Sequence, residues 1–392
     1  MRILMNAPNV LGGGVETHIT HLSIALRRVE AEVVLVVHPK FGIQTGNRES
    51  LALAGVRLVD LPTGPFNRLL RVIVQRTFVL QKFRGQEFDC VLAQGRGGSH
   101  LWLRSHLRAG GKFIWHDHGD GGQAFAPNDL SFTQPSYSSY PFLVRRVLEK
   151  ADAVIIGSQR GKDHLQRHNG RTQNVHVLAP LQTLTPPPAK DRVLHRPCRF
   201  AVIGRLVDGK GVAQLLQLWK RLELPNTELH LYGDDPSNKY HVEVRRMGAP
   251  NVYVHGSYTS SDLPNIMEAS DIGLVCSVSE GFPLTSLEFM AHGVPFVMTA
   301  VGAAEEMAKG NPDMIVAEIS DAGVAEAIRV ILERGRQGQL SQKRLQDHYL
   351  QNFAHDKVAE AYIELFVGRK QPPVTEAVNP GITLLTSNSI GS

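Results

Sequence analysis

Two short runs hold residue types suited to a phosphorylated ligand. The first is Gly204-Arg205-Leu206-Val207-Asp208-Gly209-Lys210-Gly211. It follows an apolar β-branched run, Phe200–Ile203, and opens a helical pattern. At such a junction backbone N–H groups and the helix dipole converge on an anion. Arg205 offers a planar fork to phosphate oxygens, and Lys210 a compact point charge. The run spells G-x-x-x-x-G-K. Gly211, however, stands where a nucleoside triphosphatase places the hydroxyl that holds Mg²⁺, which argues against that activity. The plain alternative is a helix start with two solvated cations.

The second run is Glu280-Gly281-Phe282-Pro283-Leu284-Thr285-Ser286-Leu287-Glu288, again between a strand pattern (Ile272–Val275) and a helix. Pro283 suits a first helical turn. Glu280 falls on the loop, and Glu288 about one and a half turns beyond Pro283 at 3.6 residues per turn. Two carboxylates on one loop-helix unit can grip two parts of one ligand; the alternative is a capping acid and a solvated helical Glu. A third cluster is Trp115-His116-Asp117-His118-Gly119-Asp120. His116 and His118 are both candidates to face a substrate, and each could instead be a satisfied loop histidine. Two His and two Asp close together raise the question of a metal, but their spacing matches no standard zinc pattern. Gly12-Gly13-Gly14 forms a weaker signal. Glycine lets a backbone approach a ligand closely because no Cβ intrudes, yet the run lacks the third glycine of a dinucleotide fingerprint.

These runs need strands and helices to hold them. Met1–Asn6 reads as a strand and Glu16–Arg28 as a helix with Ile19, Leu22, Ser23 and Leu26 on one face. Val33–Val37 is continuously apolar, as in a strand buried on both faces of a parallel sheet. Cys90–Ala93, Lys112–Trp115 and Ala153–Gly157 read as further strands, so the first half is a doubly wound β/α domain. Between 186 and 198, prolines among polar and basic residues mark a linker. A second β/α series follows: Phe200–Ile203, Leu229–Leu231, Val252–Val254, Ile272–Val275 and Phe296–Met298. Ser341–Val367 reads as a last helical stretch, expected to cross back onto the first domain, and 368–392 as a flexible tail. The expected division is therefore 1–185, a linker 186–198, 199–367 and a tail. The fold class is α/β: two facing Rossmann-like domains with a cleft at their strand ends, where ligands bind in such sheets.

Charge divides the chain in the same way. Residues 1–198 carry 25 Lys and Arg against 14 Asp and Glu, whereas the remainder carries 17 against 23. The halves should therefore meet different partners. Cys90, Cys198 and Cys276 are too few and too scattered for a disulfide framework. The beginning, MRILMNAPNV, does not read as a signal peptide. No apolar stretch approaches the roughly 18 residues of a membrane-spanning helix. A cytoplasmic location is expected, with membrane contact at most peripheral. Phe66–Arg84 reads as an amphipathic basic helix. Arg68, Arg71, Gln75 and Lys82 fall near one face and Phe66, Leu69, Leu70, Ile73 and Leu80 near another. It is a core helix with a solvated side, a surface for anionic lipid headgroups or a surface for another acidic partner. Basic charge without recognition-motif spacing does not support nucleic-acid binding.

Taken together, the runs resemble the retaining glycosyltransferases of family four, the glycosyl transferases group one, which have the two-Rossmann-domain architecture called GT-B. Glu280 and Glu288 meet that family's E-x7-E motif, and Gly204 to Gly211 its G-R-L-x-x-x-K-G run. Gly13, Gly14 and Glu16 meet its amino-terminal G-G-x-E run. Val301, Gly302 and Glu306 meet V-G-G-x-x-E in part, with Ala303 replacing the second glycine. The resemblance covers most of residues 1–367 and is weakest between 40 and 150, where family members differ with their acceptors.

The resemblance implies a nucleotide-sugar donor bound mainly by the second domain. Arg205 and Lys210 would neutralise its diphosphate, the leaving group on which charge develops. Glu288 would hold the ribose hydroxyls and Glu280 would lie near the donor sugar. The donor set would comprise Gly13, Gly14, Gly204, Arg205, Lys210, Glu280, Gly281, Phe282, Pro283, Leu284, Thr285 and Glu288, with main-chain N–H groups around the imino acid Pro283. His118, or else His116, would contact the donor sugar or orient the acceptor. No metal or other cofactor is expected, since the chain lacks Asp-x-Asp. The acceptor would be a sugar or lipid-linked, in polysaccharide or glycolipid synthesis, bound by the basic first domain near an anionic membrane surface met by Arg68, Arg71 and Lys82. Attack on the same face as departure, with the leaving phosphate taking the acceptor proton, is the mechanism the family implies. The rivals are an epimerase or phosphorylase of the same architecture and a non-catalytic sugar-nucleotide-binding protein.

Overall fold

A computed structural model describes residues 1–7, 13–38, 43–64, 68–95, 98–119, 141–169, 173–190, 193–249 and 251–368. Apolar runs that must be hidden from water on both faces form two wholly parallel sheets. The first has seven strands: β1 (Arg2–Asn6), β2 (Glu32–Val37), β3 (Arg57–Asp60), β4 (Phe88–Gln94), β5 (Leu107–Asp117), β6 (Ala153–Ile156) and β7 (Val175–Val177). Their spatial order is β3-β2-β1-β4-β5-β6-β7. The second has six: β8 (Cys198–Ile203), β9 (Thr227–Tyr232), β10 (Val252–Gly256), β11 (Ile272–Val275), β12 (Phe296–Thr299) and β13 (Met314–Ala317). Their order is β10-β9-β8-β11-β12-β13. Both sheets reverse direction of growth once, between β1 and β4 and between β8 and β11. The loops after those strands therefore diverge and leave a crevice.

Each sheet has a core on each face. Ile3, Met5, Leu35 and Leu92 point to one side of the first sheet, while Leu4, Val34, Val91 and Phe113 point to the other. The second sheet repeats the arrangement with Phe200, Leu229 and Leu274 against Ala201, Phe296 and Met298. This alternation along each strand follows from its two-residue side-chain period.

Three details differ from the sequence reading. Strands β3, β7 and β13 have no counterpart in the sequence pattern. They are short, and β3 begins and ends on charged residues, Arg57 and Asp60. The last helical stretch is two helices, Gln342–Asn352 and His355–Val367. Ala354, with ψ 143°, breaks the helical path between them. The first packs on helix Leu284–His292 and the second on helix Gly14–Arg28. Val358, Ala359, Tyr362 and Phe366 thus belong to the first sheet's core.

The basic helix, Arg68–Lys82, is rotated relative to the expected apolar face. Leu70 and Ile73 are 44% and 51% exposed, whereas Val79 and Phe83 are fully buried. Leu70 lies nine residues before Val79, half a turn out of phase at 3.6 residues per turn. Packing against Val79 and Phe83 therefore turns Leu70 outward. Lys82 is exposed. Phe66 and the side chains of Arg68, Leu69 and Arg71 lie outside the described residues, as does the expected tail beyond Gly368.

Candidate functional site

The loop after β8 is shaped by glycines at its two ends. Gly204 has φ 123° and Gly211 φ 69°, a region that disfavours side chains. A Cβ on Gly211 would also run into the Cys276 carbonyl at the end of β11. Between them Asp208–Lys210 makes one tight turn, and Gly211 precedes helix Val212–Leu222. Asp208 is held by Lys239 Nζ and by the Tyr240 hydroxyl at 2.8 Å, so it braces the loop. Arg205 is exposed. Lys210 Nζ donates to the Glu280 carboxylate, which also accepts from Ser277 Oγ at 2.9 Å. The loops after β8 and β11 are thus joined by an ion pair at the switch point of the second sheet.

Helix Leu284–His292 follows the second run. Pro283 is its cap residue, one position before the first helical turn expected for it. Thr285 Oγ1 donates to the Ile203 carbonyl at 3.3 Å, fastening the helix start to β8. Phe282 packs toward Phe353, with ring centres 6.1 Å apart. Glu288 retains some accessible surface but is densely walled by protein. That desolvation pushes its carboxyl up to about 7, against the opposing influence of a hydrogen bond from Gln182 and the charge of Lys210.

The first domain closes on this surface. A Cβ on Gly281 would lie 2.5 Å from the Gly119 carbonyl oxygen and 2.8 Å from that of His118. A Cβ on Gly14 would lie 2.6 Å from Leu284 Cδ1. Gly13, with φ 90°, is exposed at the start of helix Gly14–Arg28. Further along the cleft, Glu306 accepts the Gln159 backbone N–H at 2.6 Å and Arg160 donates to the Ala300 carbonyl. A carboxylate of the second domain therefore caps helix Gln159–Asn169 of the first.

The two histidine candidates separate. β5 continues to Asp117, two residues beyond the expected end, so His116 pairs in register with Ile155 and is 2% exposed. His116 is a sheet-core residue. His118 lies just past the strand, half-buried, with Nε2 3.0 Å from Gln94 Oε1. Burial lowers its imidazole to about 4. Between the two, it is His118 whose backbone carbonyl lies against the loop of Gly281, while its ring turns toward Gln94, His18 and His116. Asp120 and Gly12 lie outside the described residues. Glu16 is buried and accepts from the Gln44 backbone and Asn47 Nδ2, both at 2.7 Å. It thereby secures the start of helix Thr45–Leu53.

Three residues had no signal in the linear reading. His18 stacks edge-on to His116 and His118, with ring centres 4.8 and 5.4 Å away. Gln94 holds His118, and Gln182 reaches Glu288 at 3.0 Å. Among the described residues, no group of three or more His, Cys, Asp or Glu is arranged to hold a metal. No described helix is long and apolar enough to cross a membrane.

Two parallel, doubly wound domains that face each other across the loops after β8 and β11 have the architecture of the GT-B glycosyltransferases. Comparison with known proteins agrees with that class. The family model described as "Glycosyl transferases group 1" matches residues 197–334, and that described as "Glycosyltransferase Family 4" matches residues 12–180. The chain belongs to this family. It is 24% identical over 363 residues to a phosphatidylinositol N-acetylglucosaminyltransferase subunit of Arabidopsis thaliana, covering 82% of this chain and 74% of that one. It is also 24% identical over 324 residues to the D-inositol 3-phosphate glycosyltransferase of Corynebacterium kroppenstedtii, covering 74% and 70%. Among solved structures, sucrose-phosphate synthase from Thermosynechococcus elongatus superposes with a TM-score of 0.73 at 18% identity, covering 94% of this chain and 100% of that one. Anabaena HepE in complex with UDP and glucose gives a TM-score of 0.70, also at 18% identity and covering 94% and 100%. At that identity the structural likeness concerns the fold.

Proposed function

We propose that the protein is a retaining, metal-independent transferase that moves a sugar from a nucleotide-sugar donor to a sugar or lipid-linked acceptor. The observation that carries the reading is the junction of the loops after β8 and β11. There Lys210 is paired with Glu280, with Glu288 on the adjoining helix and His118 and Gly119 across the cleft. Arg205, Lys210 and the backbone at Gly204 would take the diphosphate, neutralising the leaving group without an obligatory cation. Glu288 would hold the ribose hydroxyls. Glu280, its charge partnered by Lys210, would meet the donor sugar beside the N–H groups of Gly281, Phe282, Leu284 and Thr285. His118 would contact the sugar from the other domain. Attack by the acceptor on the face the diphosphate leaves would let the departing phosphate oxygen take the acceptor proton. Contact between the domains would limit access of water to the donor. HepE has been solved with UDP and glucose, which supports a nucleoside diphosphate sugar as donor. Both curated relatives bear inositol compounds in their names, which supports a phosphorylated or lipid-borne acceptor. The outward Leu70 and Ile73 beside exposed Arg76 and Lys82 support docking of helix Arg68–Lys82 on an anionic membrane surface.

A thermal-shift screen of UDP, GDP, ADP and their sugars identifies the donor, because a bound ligand raises stability with the logarithm of its concentration over Kd. With that donor and chelator present, nucleoside diphosphate should be released only when acceptor is added, and Glu280→Ala should abolish release. Equal release by wild type and Glu280→Ala across a broad acceptor screen would refute transfer, and acceptor-independent turnover would favour the epimerase reading.

A further inference from the structure

Residues 181 to 183 run between the two domains, after β7 and before β8. Their contacts alternate. The Leu181 N–H donates to His18 Nδ1 at 2.8 Å, and Thr183 Oγ1 lies 3.0 Å from His21 Nδ1, both on helix Gly14–Arg28 of the first domain. Gln182 between them turns the other way, and its Nε2 donates to Glu288 Oε1 at 3.0 Å. The Leu181 side chain lies in the first sheet's core while that of Gln182 reaches the second domain, so one short segment takes hold of both domains. Gln182 is 8% exposed, and its other amide atom, Oε1, is buried without a hydrogen-bonding partner. Leaving a buried acceptor unpaired is unfavourable, which calls for a reason to keep glutamine here.

The chemistry of an amide supplies one. Its N–H can serve a carboxylate, and its carbonyl, on turning over, can serve a neutral carboxyl. Glu288 is the neighbour such an amide can serve, its carboxyl pushed up to about 7 by burial. The groups around it are Lys210, which favours the charged form, and Tyr258, whose hydroxyl is itself pushed up by burial and by Glu288. His292, on the same helix, has Nδ1 2.9 Å from the backbone oxygen of Glu288.

We propose that Gln182 is a positioning residue for the donor site, orienting the Glu288 carboxyl and holding it ionised while the segment between the domains is seated on His18. This rests on the reading of Glu288 as the group that binds the donor's ribose. Gln182 touches neither the reacting atoms nor the diphosphate; it acts through Glu288.

The test is calorimetric titration of the full-length protein with whichever of UDP, GDP and ADP binds, from pH 5.5 to 9. In wild type, affinity should rise with pH around a midpoint near 7 as Glu288 ionises. Gln182→Met keeps the shape and removes the N–H, so that midpoint should move up by roughly half to one pH unit. At pH 7 this corresponds to a loss of about two- to fivefold in affinity. Gln182→Glu adds a second carboxyl beside the first and should move it further the same way, since two adjoining carboxyls resist ionising together. The variants are compared with wild type, so the nucleotide's own titration cancels. An unshifted midpoint in whichever variant folds overturns the role of Gln182. Glu288→Gln serves as the control: it should flatten the profile. If it leaves affinity and profile unchanged, the donor-site reading itself falls, a different outcome from an unshifted Gln182 variant.

Discussion

Gly281→Ala tests whether the two domains work as one site. Gly281 has no positive φ among the described glycines, so alanine suits its backbone. The obstacle lies across the cleft. The added Cβ would meet the Gly119 oxygen at 2.5 Å, the Gly119 carbonyl carbon at 2.7 Å and the His118 oxygen at 2.8 Å. All three are backbone atoms and cannot swing aside like a side-chain tip. A carbon and a carbonyl oxygen rest roughly 3.3–3.6 Å apart, so the loop after β5 must retreat by nearly an ångström. Displacement by about 1 Å of positioning groups can lower a rate about 10²-fold, which is about 2.7 kcal/mol of barrier. The groups proposed to take the diphosphate, Arg205, Lys210 and the backbone at Gly204, stand on the second domain and are untouched. The expected result is a fall of about 10²-fold in kcat/KM for transfer, with nucleoside diphosphate affinity changed by less than about threefold and a larger radius of gyration by X-ray scattering. Transfer within about threefold of wild type would refute the reasoning, as would an equal loss of nucleotide affinity, which would place the damage within the second domain.

Two further outcomes follow from burial and capping. Burial lowers His21 and His118 from 6.5 to about 4, and His18 and His116 well below 6.5. The unfolded chain binds protons below pH 6.5 that the folded chain refuses, so stability present above pH 6.5 is lost as pH falls toward 4. At pH 5 this is on the order of 2 kcal/mol for each fully buried imidazole, and urea midpoints at pH 7.5 and 5 should differ accordingly. His116→Phe should flatten that decline, and coincident midpoints would show that the imidazoles are not held neutral. Glu306→Ala removes the acceptor for the first N–H of helix Gln159–Asn169. The loss of this cap is about 1 kcal/mol, and hydrogen exchange at Gln159 and Arg160 should quicken; unchanged exchange would rule out the cap.

What could be read before the structure was local. Phe200–Ile203 and Ile272–Val275 announce themselves because strands buried on both faces must be apolar throughout. The runs Gly204–Gly211 and Glu280–Glu288 announce themselves because each loop and its helix are contiguous in the chain. The helical period of Arg68–Lys82 was legible, but not which face is buried. Periodicity carries no phase until Val79 and Phe83 find the sheet. His116 and His118 differ only in where β5 stops, a matter decided by its partners β4 and β6. Gln182 and Glu306 carried no sign of their partners, since Glu288 and Gln159 lie 106 and 147 residues away. Such contacts exist only once the chain has closed on itself.

The return of helix His355–Val367 to the first domain has a consequence for the growing polypeptide. Tyr362 and Phe366 fill the core between the first sheet and helix Gly14–Arg28, yet a ribosome delivers them after the whole second domain. From Leu178 to Phe366, at about 5–20 residues per second, that wait is about 10–40 s. During it the amino-terminal half carries an uncovered apolar groove on a surface already rich in basic residues. Its partner helix is made last, so the amino-terminal domain can seal only after its neighbour has been synthesised. A chain stopped before His355 would keep that groove open for good, a substrate for chaperones and proteases even with the loops after β8 and β11 and the helices that follow them intact.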